Sequence, residues 1–189
     1  MNSAEQTYKK QIELEPDSPT PYLRLGLVNM ARAREAAGAE EKKLHISESI
    51  KLYNEAINRK ANLASAYYGR SIAYEALGDL DNAIKDLTSA TIIDQNSEYI
   101  FELGRLYLNR GVSKTALEKT KDSNLNVKEV DTTSGTIKKN ADLSTAEQLF
   151  LSILLKNQDN ANARYRSLLR VIQDEKQKEQ IKQEFPGLF

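Results

Sequence analysis

Residues 64–97 read ASAYYGRSIAYEALGDLDNAIKDLTSATIIDQNS, and this stretch decides the fold of the chain. It contains two helical patterns, which are separated by Gly78 and Asp79. In each pattern three residues recur at spacings of three and four, so that they meet on one face of an α-helix. These residues are Tyr67, Ser71 and Tyr74 in the first pattern, and Ala83, Leu87 and Ala90 in the second. The stretch therefore predicts two helices that fold back on each other at a Gly-Asp turn.

This unit resembles the tetratricopeptide repeat, which has a period of about 34 residues. That family carries an aromatic residue, a Leu-Gly pair and a Tyr on its first helix, then an Ala, an aromatic residue and a late Pro on its second. Tyr67, Tyr74 and Ala83 agree with the family at these positions, whereas Arg70 and Gln95 depart from it. The resemblance implies stacked helix pairs that share one continuous core.

The same signature recurs on both sides of the central unit. First-helix signatures are found at Tyr22, Leu25, Gly26 and Asn29, and again at Ile100, Leu103, Gly104 and Tyr107. Second-helix core positions are Ser49, Tyr53 and Ala56, and later Ala146, Phe150 and Ile153. The interval from a second helix to the next first helix is fourteen residues at Tyr8 to Tyr22, Tyr53 to Tyr67 and Phe150 to Arg164. This recurrence at a fixed interval supports the resemblance more strongly than any single motif does.

The resemblance implies an all-α fold: a right-handed α-solenoid of about eight antiparallel helices with a C-terminal capping helix. We expect a single domain over residues 1–189 that is made of five consecutive segments. They are a half repeat at 4–16, a repeat with elongated helices at 18–62, a regular repeat at 63–96, an interrupted repeat at 97–159, and a capping helix with its tail at 160–189.

A polar stretch interrupts the third of these repeats. Residues 121–141 show no sustained hydrophobic period, which predicts a mobile loop. The sequence STAE at 144–147 then has the pattern of a capping box, which predicts that the next helix begins there. Extra residues also separate the two helices of the repeat at 18–62, so we expect both insertions at hairpin tips along one rim of the solenoid.

The composition excludes several classes of function. The 189 residues include 27 basic and 27 acidic side chains, so the chain lacks the basic excess that nucleic-acid or anionic-membrane binding calls for. Cysteine is absent, which excludes disulfides, thiolate metal sites and cysteine nucleophiles. No run of about eighteen apolar residues occurs, and residues 1–16 lack the apolar segment of a signal peptide. We expect no direct membrane insertion by this chain and a cytoplasmic location.

The sequence also argues against catalysis. His45 is the only histidine, so neither a histidine-based triad nor a multi-histidine metal site can be assembled. Asp79 and Asp81 lie at a turn and a helix start, where a carboxylate interacts favourably with the helix dipole. No glycine-rich phosphate-binding loop with a following lysine is present. We predict a chain that is not an enzyme and that holds neither a cofactor nor a metal.

The resemblance implies that first helices line a concave surface on which partners bind. Nine residues at the family's ligand-contacting positions form the expected groove. They are Leu23, Leu27, Met30, Tyr68, Ile72, Glu75, Phe101, Arg105 and Leu108. The charged clamp of the co-chaperone members is absent, because aliphatic and aromatic residues occupy its positions. We therefore expect a protein or peptide ligand with apolar anchors, either an apolar helix or an extended peptide.

Three interpretations of the whole chain stay open, and an enzyme is the least favoured of them. In the first, the chain is an interaction scaffold. In the second, it is the C-terminal repeat region of a larger bacterial membrane protein that resembles the O-antigen ligases of envelope glycan systems, because Met1 falls within a repeat and the ending QEFPGLF is similar to such tails. The chain would then be the soluble part of a membrane-anchored protein. An upstream reading frame that encodes hydrophobic spans would separate the two.

Overall fold

The computed structural model describes residues 3–121, 132–156 and 162–184. Within these ranges the chain forms eight α-helices and no strand, so the predicted all-α fold is confirmed. The helices are α1 (Ser3–Leu14), α2 (Pro19–Glu35), α3 (Ala39–Arg59), α4 (Ala64–Ala76), α5 (Leu80–Ile93), α6 (Ser97–Lys121), α7 (Thr132–Lys156) and α8 (Asn162–Glu184). The predicted tail at 185–189 lies outside the described residues.

The chain divides into two compact units, Met1–Tyr99 and Ile100–Phe189, where the sequence predicts one domain. In a repeat array each helix pair mainly contacts its neighbours. A regular sequence period therefore does not reveal where one compact unit ends and the next begins. The boundary falls within α6. Each unit has its own buried core.

Short connections join the helices of the first unit into antiparallel pairs. α2 packs on α3 and α4 packs on α5, while α3 also packs on α4. Gly38 directly precedes α3, and Gly78 has a φ of 80°, a left-handed conformation that glycine adopts without strain. Asp79 caps α5, because its carboxylate accepts a hydrogen bond from the backbone N–H of Asn82 at 3.1 Å. The turn residues of the sequence thus mark the ends of the observed helices.

Tyr53 of α3 is the centre of the first core and is fully buried. Its ring lies against Gly26 of α2 and against Gly69 of α4. A methyl group at Gly26 would lie 2.5 Å from Cε1 of this ring, and one at Gly69 would lie 2.7 Å from Cζ. Such distances are too short for carbon atoms in a close-packed interior. The two glycines therefore allow three successive helices to meet around one aromatic ring.

The second unit repeats this arrangement with phenylalanine. Phe150 of α7 is fully buried, and a methyl group at Gly104 of α6 would lie 2.7 Å from its Cε1. Phe101 packs on Phe150 with ring centroids 5.6 Å apart, and Ile172 of α8 belongs to the same core. Tyr53 and Phe150 therefore hold equivalent places in their repeats.

Two predictions about residues 121–147 are wrong. The structure places 132–141, which is predicted as loop, inside α7, whereas 122–131 lie outside the described residues. This stretch lacks an apolar period, but it adjoins a segment that Phe150 anchors, and extending a helix is far easier than nucleating one. The STAE sequence at 144–147 likewise lies within α7: Thr145 Oγ1 donates to the carbonyl oxygen of Ala141 at 2.8 Å, and Glu147 pairs with Lys176 of α8.

Candidate functional site

A groove of about 340 Å³ opens between α2 and α4 in the first unit, and α3 contributes to its wall. Its lining is mostly aliphatic and aromatic, with two arginines and one serine. The lining residues are Leu23, Arg24, Leu27, Met30, Arg34, Tyr53, Ser65, Tyr68, Gly69 and Ile72. Two first helices and the second helix between them in sequence therefore build the groove.

Five of the nine predicted groove residues line this groove. They are Leu23, Leu27 and Met30 on α2, and Tyr68 and Ile72 on α4. Leu27 is 45% exposed, whereas Met30 is buried and its Sδ lies 3.1 Å from Ser49 Oγ, which donates to the carbonyl oxygen of Ile46 at 2.7 Å. The structure thus brings these five side chains into one apolar surface, part of which is open to solvent.

The other four predicted residues do not line this groove. Phe101 is 1% exposed and lies with Leu108 in the core of the second unit, where side chains of α7 and α8 cover both. Arg105 Nε donates to Glu102 Oε2 at 2.6 Å, and Glu75 is half-buried near the end of α4. Position within a repeat predicts the direction of a side chain but not whether later helices cover it. Phe101 and Leu108 are therefore core residues of the second unit rather than exposed groove residues.

The structure adds Tyr53, Arg24 and Arg34 to the groove, which the sequence analysis does not assign to it. Arg34 follows Met30 by four residues and Leu27 by seven, so helical spacing alone would have placed it on the same face. Tyr53 is predicted as a core residue, which its burial confirms, and no sequence signal shows that it also reaches the groove. Arg24 precedes Leu27 by three residues, so the same helical spacing would have placed it on this face as well.

Both arginines are exposed and add positive charge to the groove. Within the described ranges, neither guanidinium makes a hydrogen bond or a salt bridge. No acidic side chain is among the residues that line the groove. The surface is therefore apolar with a local excess of positive charge, although the chain as a whole has no net charge.

The hydroxyl group of Tyr53 is buried and has no hydrogen-bond partner among the described residues. Burial raises the pKa of this phenol above its ordinary value of 10, and the positive charge of Arg34 acts in the opposite direction. Tyr53 is therefore a neutral O–H donor at physiological pH. A buried donor without an acceptor destabilises a fold by about 1–3 kcal/mol.

Tyr68 forms an aromatic wall of the groove and is held in place by Tyr99. The two ring centroids lie 4.8 Å apart with an interplanar angle of 37°. An aromatic pair of this kind contributes about 0.5–1.5 kcal/mol beyond its buried area. Burial also raises the pKa of Tyr99. The Tyr68 ring is therefore restrained before any ligand arrives.

A buried ion pair joins α4 to α5 where the family pattern has an apolar residue. Arg70 donates to Asp86 through Nε at 2.6 Å and through Nη2 at 2.7 Å, and a third hydrogen bond reaches Asn54 of α3. The hydrogen bonds to Asp86 raise the pKa of Arg70. The guanidinium carbon also lies 5.5 Å from the ring centroid of Tyr67. Because both carboxylate oxygens of Asp86 bind this arginine, the pair is structural.

Two further properties concern metal and membrane binding. Among the residues that the structure describes, no group of three or more histidine, aspartate and glutamate side chains is arranged to hold a metal ion. His45 Nδ1 lies 3.3 Å from Asn29 Oδ1, and its Nε2 lies 4.0 Å from Glu41. None of the described helices is both long and apolar enough to cross a membrane.

No protein-family model matches the sequence, and no curated protein matches it either. Solved structures do match. The thermophilic tetratricopeptide-repeat protein TTC0263 of Thermus thermophilus aligns with a TM-score of 0.64 at 20% identity, over 89% of this chain and 72% of that one. YrrB, described as a tetratricopeptide-repeat protein with an unusual peptide-binding site, aligns with a TM-score of 0.47 at 18% identity, over 90% of this chain and 84% of that one. The likeness to TTC0263 shows a common fold.

Proposed function

We propose that this chain, which has the fold of the tetratricopeptide-repeat proteins, is a non-catalytic scaffold that binds a peptide segment of a partner protein between α2 and α4. The open apolar surface of the groove carries the proposal, because Leu27 is 45% exposed within a lining of aliphatic and aromatic residues. Contiguous exposed apolar surface typically marks an interaction site. Aromatic and aliphatic anchors seated in such grooves are a common mode of peptide recognition.

The size of the groove limits the ligand. A volume of about 340 Å³ is near the lower end of the range for ligand pockets, which runs from about 300 to 1,000 Å³. It accommodates one or two large apolar side chains but not a folded domain. We therefore propose an apolar helix face or an extended peptide as the ligand.

The groove is also restrained before a ligand binds. Ser49 contacts Met30, Tyr99 packs on Tyr68, and two glycines enclose the ring of Tyr53. A site whose side chains are already ordered loses little conformational entropy on association. This rigidity supports binding by selection of a matching peptide rather than by rearrangement of the groove.

Affinity purification with the full chain tests the proposal, and mass spectrometry would quantify the captured partners. A Leu27→Asp and Tyr68→Ala double variant is expected to lose a specific partner by about tenfold or more, because it removes two apolar anchors. Leu44→Asp is the matched control, since Leu44 is 59% exposed but does not line the groove. Circular dichroism would verify that both variants remain helical. Equal capture by the wild type and the double variant would refute a role for the groove.

The envelope-glycan interpretation stays a prediction. The reading frame upstream of the sequence is still the observation that decides it: encoded hydrophobic spans would support it, and their absence would leave the scaffold interpretation alone.

A further inference from the structure

We propose that the peptide bound in this groove is acidic, with an apolar side chain that contacts Leu27 and Ile72 and carboxylates that pair with Arg24 and Arg34. This inference rests on the proposed function and names the chemistry of the ligand. It follows from two observations on the same surface: its charge and its apolar lining.

The charge of the groove is the first argument. Arg24 and Arg34 are both exposed at the groove, and in the described part of the chain neither has an anionic partner. No aspartate or glutamate lies among the lining residues. Guanidinium groups bind carboxylates through paired hydrogen bonds, so two of them beside an apolar surface favour a ligand with acidic residues next to its apolar anchor.

The apolar lining is the second argument. Leu27 of α2 is 45% exposed, and Ile72 of α4 lines the same groove. A large apolar side chain of the ligand would cover this surface, so we expect the carboxylates to lie beside an aliphatic anchor.

Together these features distinguish between peptides. A neutral apolar peptide would leave both arginines unpaired, and a basic peptide would place like charges beside them, which disfavours binding. An acidic peptide without a large apolar side chain would leave the surface of Leu27 and Ile72 exposed. The groove therefore favours ligands that combine an aliphatic anchor with flanking carboxylates.

Three pools of short synthetic peptides test the inference against the full chain by fluorescence anisotropy. Every peptide carries a central leucine and blocked termini, and the flanking positions are Asp or Glu in the first pool, Asn or Gln in the second, and Lys or Arg in the third. The acidic pool is expected to bind about tenfold more tightly than the neutral pool, because its carboxylates form two ion pairs with exposed arginines. The basic pool is expected to bind most weakly.

Two variants connect this selectivity to named residues. Arg24→Gln combined with Arg34→Gln is expected to lower the affinity for the acidic pool to that for the neutral pool. Arg170→Gln, which changes an exposed arginine of α8, is the matched control and should preserve the preference.

The outcomes separate this inference from the proposed function. Equal binding of the acidic and neutral pools, or a preference for the acidic pool that survives the loss of Arg24 and Arg34, would overturn the inference. If Leu27→Asp still abolished binding, the groove would remain the site. Binding of no pool would also overturn the inference, and capture unaffected by the groove variants would then refute the proposed function as well. Concentration-dependent self-association that Leu27→Asp abolishes would instead identify a second copy of the chain as the occupant.

Discussion

Gly69 lies two residues before the position at which the repeat family has its glycine, where this chain has Ser71. It nevertheless meets the ring of Tyr53, just as Gly26 does from the preceding first helix. The Leu-Gly pair at 25–26 agrees with the family's glycine position, whereas no family position corresponds to Gly69. The repeat pattern therefore predicts only some of the close contacts in the wall of the groove.

The contact at Gly69 makes a prediction about stability. Gly69→Ala should lower the free energy of unfolding by about 1–3 kcal/mol, because its methyl group would lie 2.7 Å from Tyr53 Cζ and force the packed ring to move. Chemical denaturation monitored by circular dichroism would measure the change.

Gly38→Ala is the control for that substitution, since no atom lies within 4 Å of a methyl group at this position. It should leave stability unchanged or raise it slightly, because alanine restricts the unfolded chain more than glycine does. Equal effects of the two substitutions would contradict the packing described for Tyr53.

The ion pair of Arg70 with Asp86 makes a second prediction. Asp86→Ala should destabilise the chain by about 1.5–3 kcal/mol, the usual cost of losing hydrogen bonds to a charged group, because the Arg70 side chain is only 19% exposed. Lys51→Ala, which removes the exposed pair with Glu48, should cost less than about 1 kcal/mol. A similar decrease in the free energy of unfolding in both variants would show that the buried pair stabilises the fold no more than the exposed pair.

Individual helices differ in how far the sequence predicts them. α4 and α5 follow from the apolar spacing of residues 64–97 and from Gly78 and Asp79, so their ends agree with the turn signals. The first part of α7 does not follow from the sequence pattern, because residues 132–141 show no apolar period. Their helical state depends on the anchored segment that follows. Local patterns therefore predict the helices that end at their own turn residues better than those that extend from a neighbouring core.

The predicted groove residues also differ in how well the sequence places them. Five predicted residues on α2 and α4 line it, because their repeat positions point toward one another across adjacent first helices. Phe101 and Leu108 occupy matching positions on α6 but are covered by α7 and α8. The position of a residue in the repeat determines the direction of its side chain. Whether that side chain is covered depends on helices that are distant in sequence. The burial of Phe101 and Leu108 could therefore not be predicted.

Docking of α1 onto α2 is expected to depend on pH. Glu5 of α1 accepts hydrogen bonds from Lys9 at 2.6 Å and from Arg32 of α2, and these lower the pKa of its carboxyl group below the ordinary 4.5. A lowered folded-state pKa stabilises the folded chain above the unfolded-state pKa, and this stabilisation is lost as pH falls through the folded value.

Urea denaturation of the wild type and Glu5→Gln across a pH series would measure this dependence. The stability difference between the two should be constant near neutral pH and shrink as the pH falls below 4.5. Glu13→Gln, on the exposed part of the same helix, is the control and should show no such trend. A difference for Glu5→Gln that persists unchanged in acid would contradict the role of this carboxylate.

For the molecule as a whole, an equal number of acidic and basic residues hides an uneven local distribution. The groove contains two arginines and no acidic residue, and all of its lining lies within the unit Met1–Tyr99. Residues of this unit therefore build the groove. Net charge excludes broad classes of partner, but recognition depends on the surface that the fold assembles.

A titration of methyl-labelled full-length chain with the captured partner peptide, followed by NMR, would show whether the peptide binds between α2 and α4. Methyl signals of Leu23, Leu27, Met30 and Ile72 are expected to shift as peptide is added. Leu44 and Ile92, which are 59% and 77% exposed but lie outside the groove, should not shift. Shifts confined to Leu44, Ile92 or the core of the second unit, with the groove signals unchanged, would contradict binding between α2 and α4.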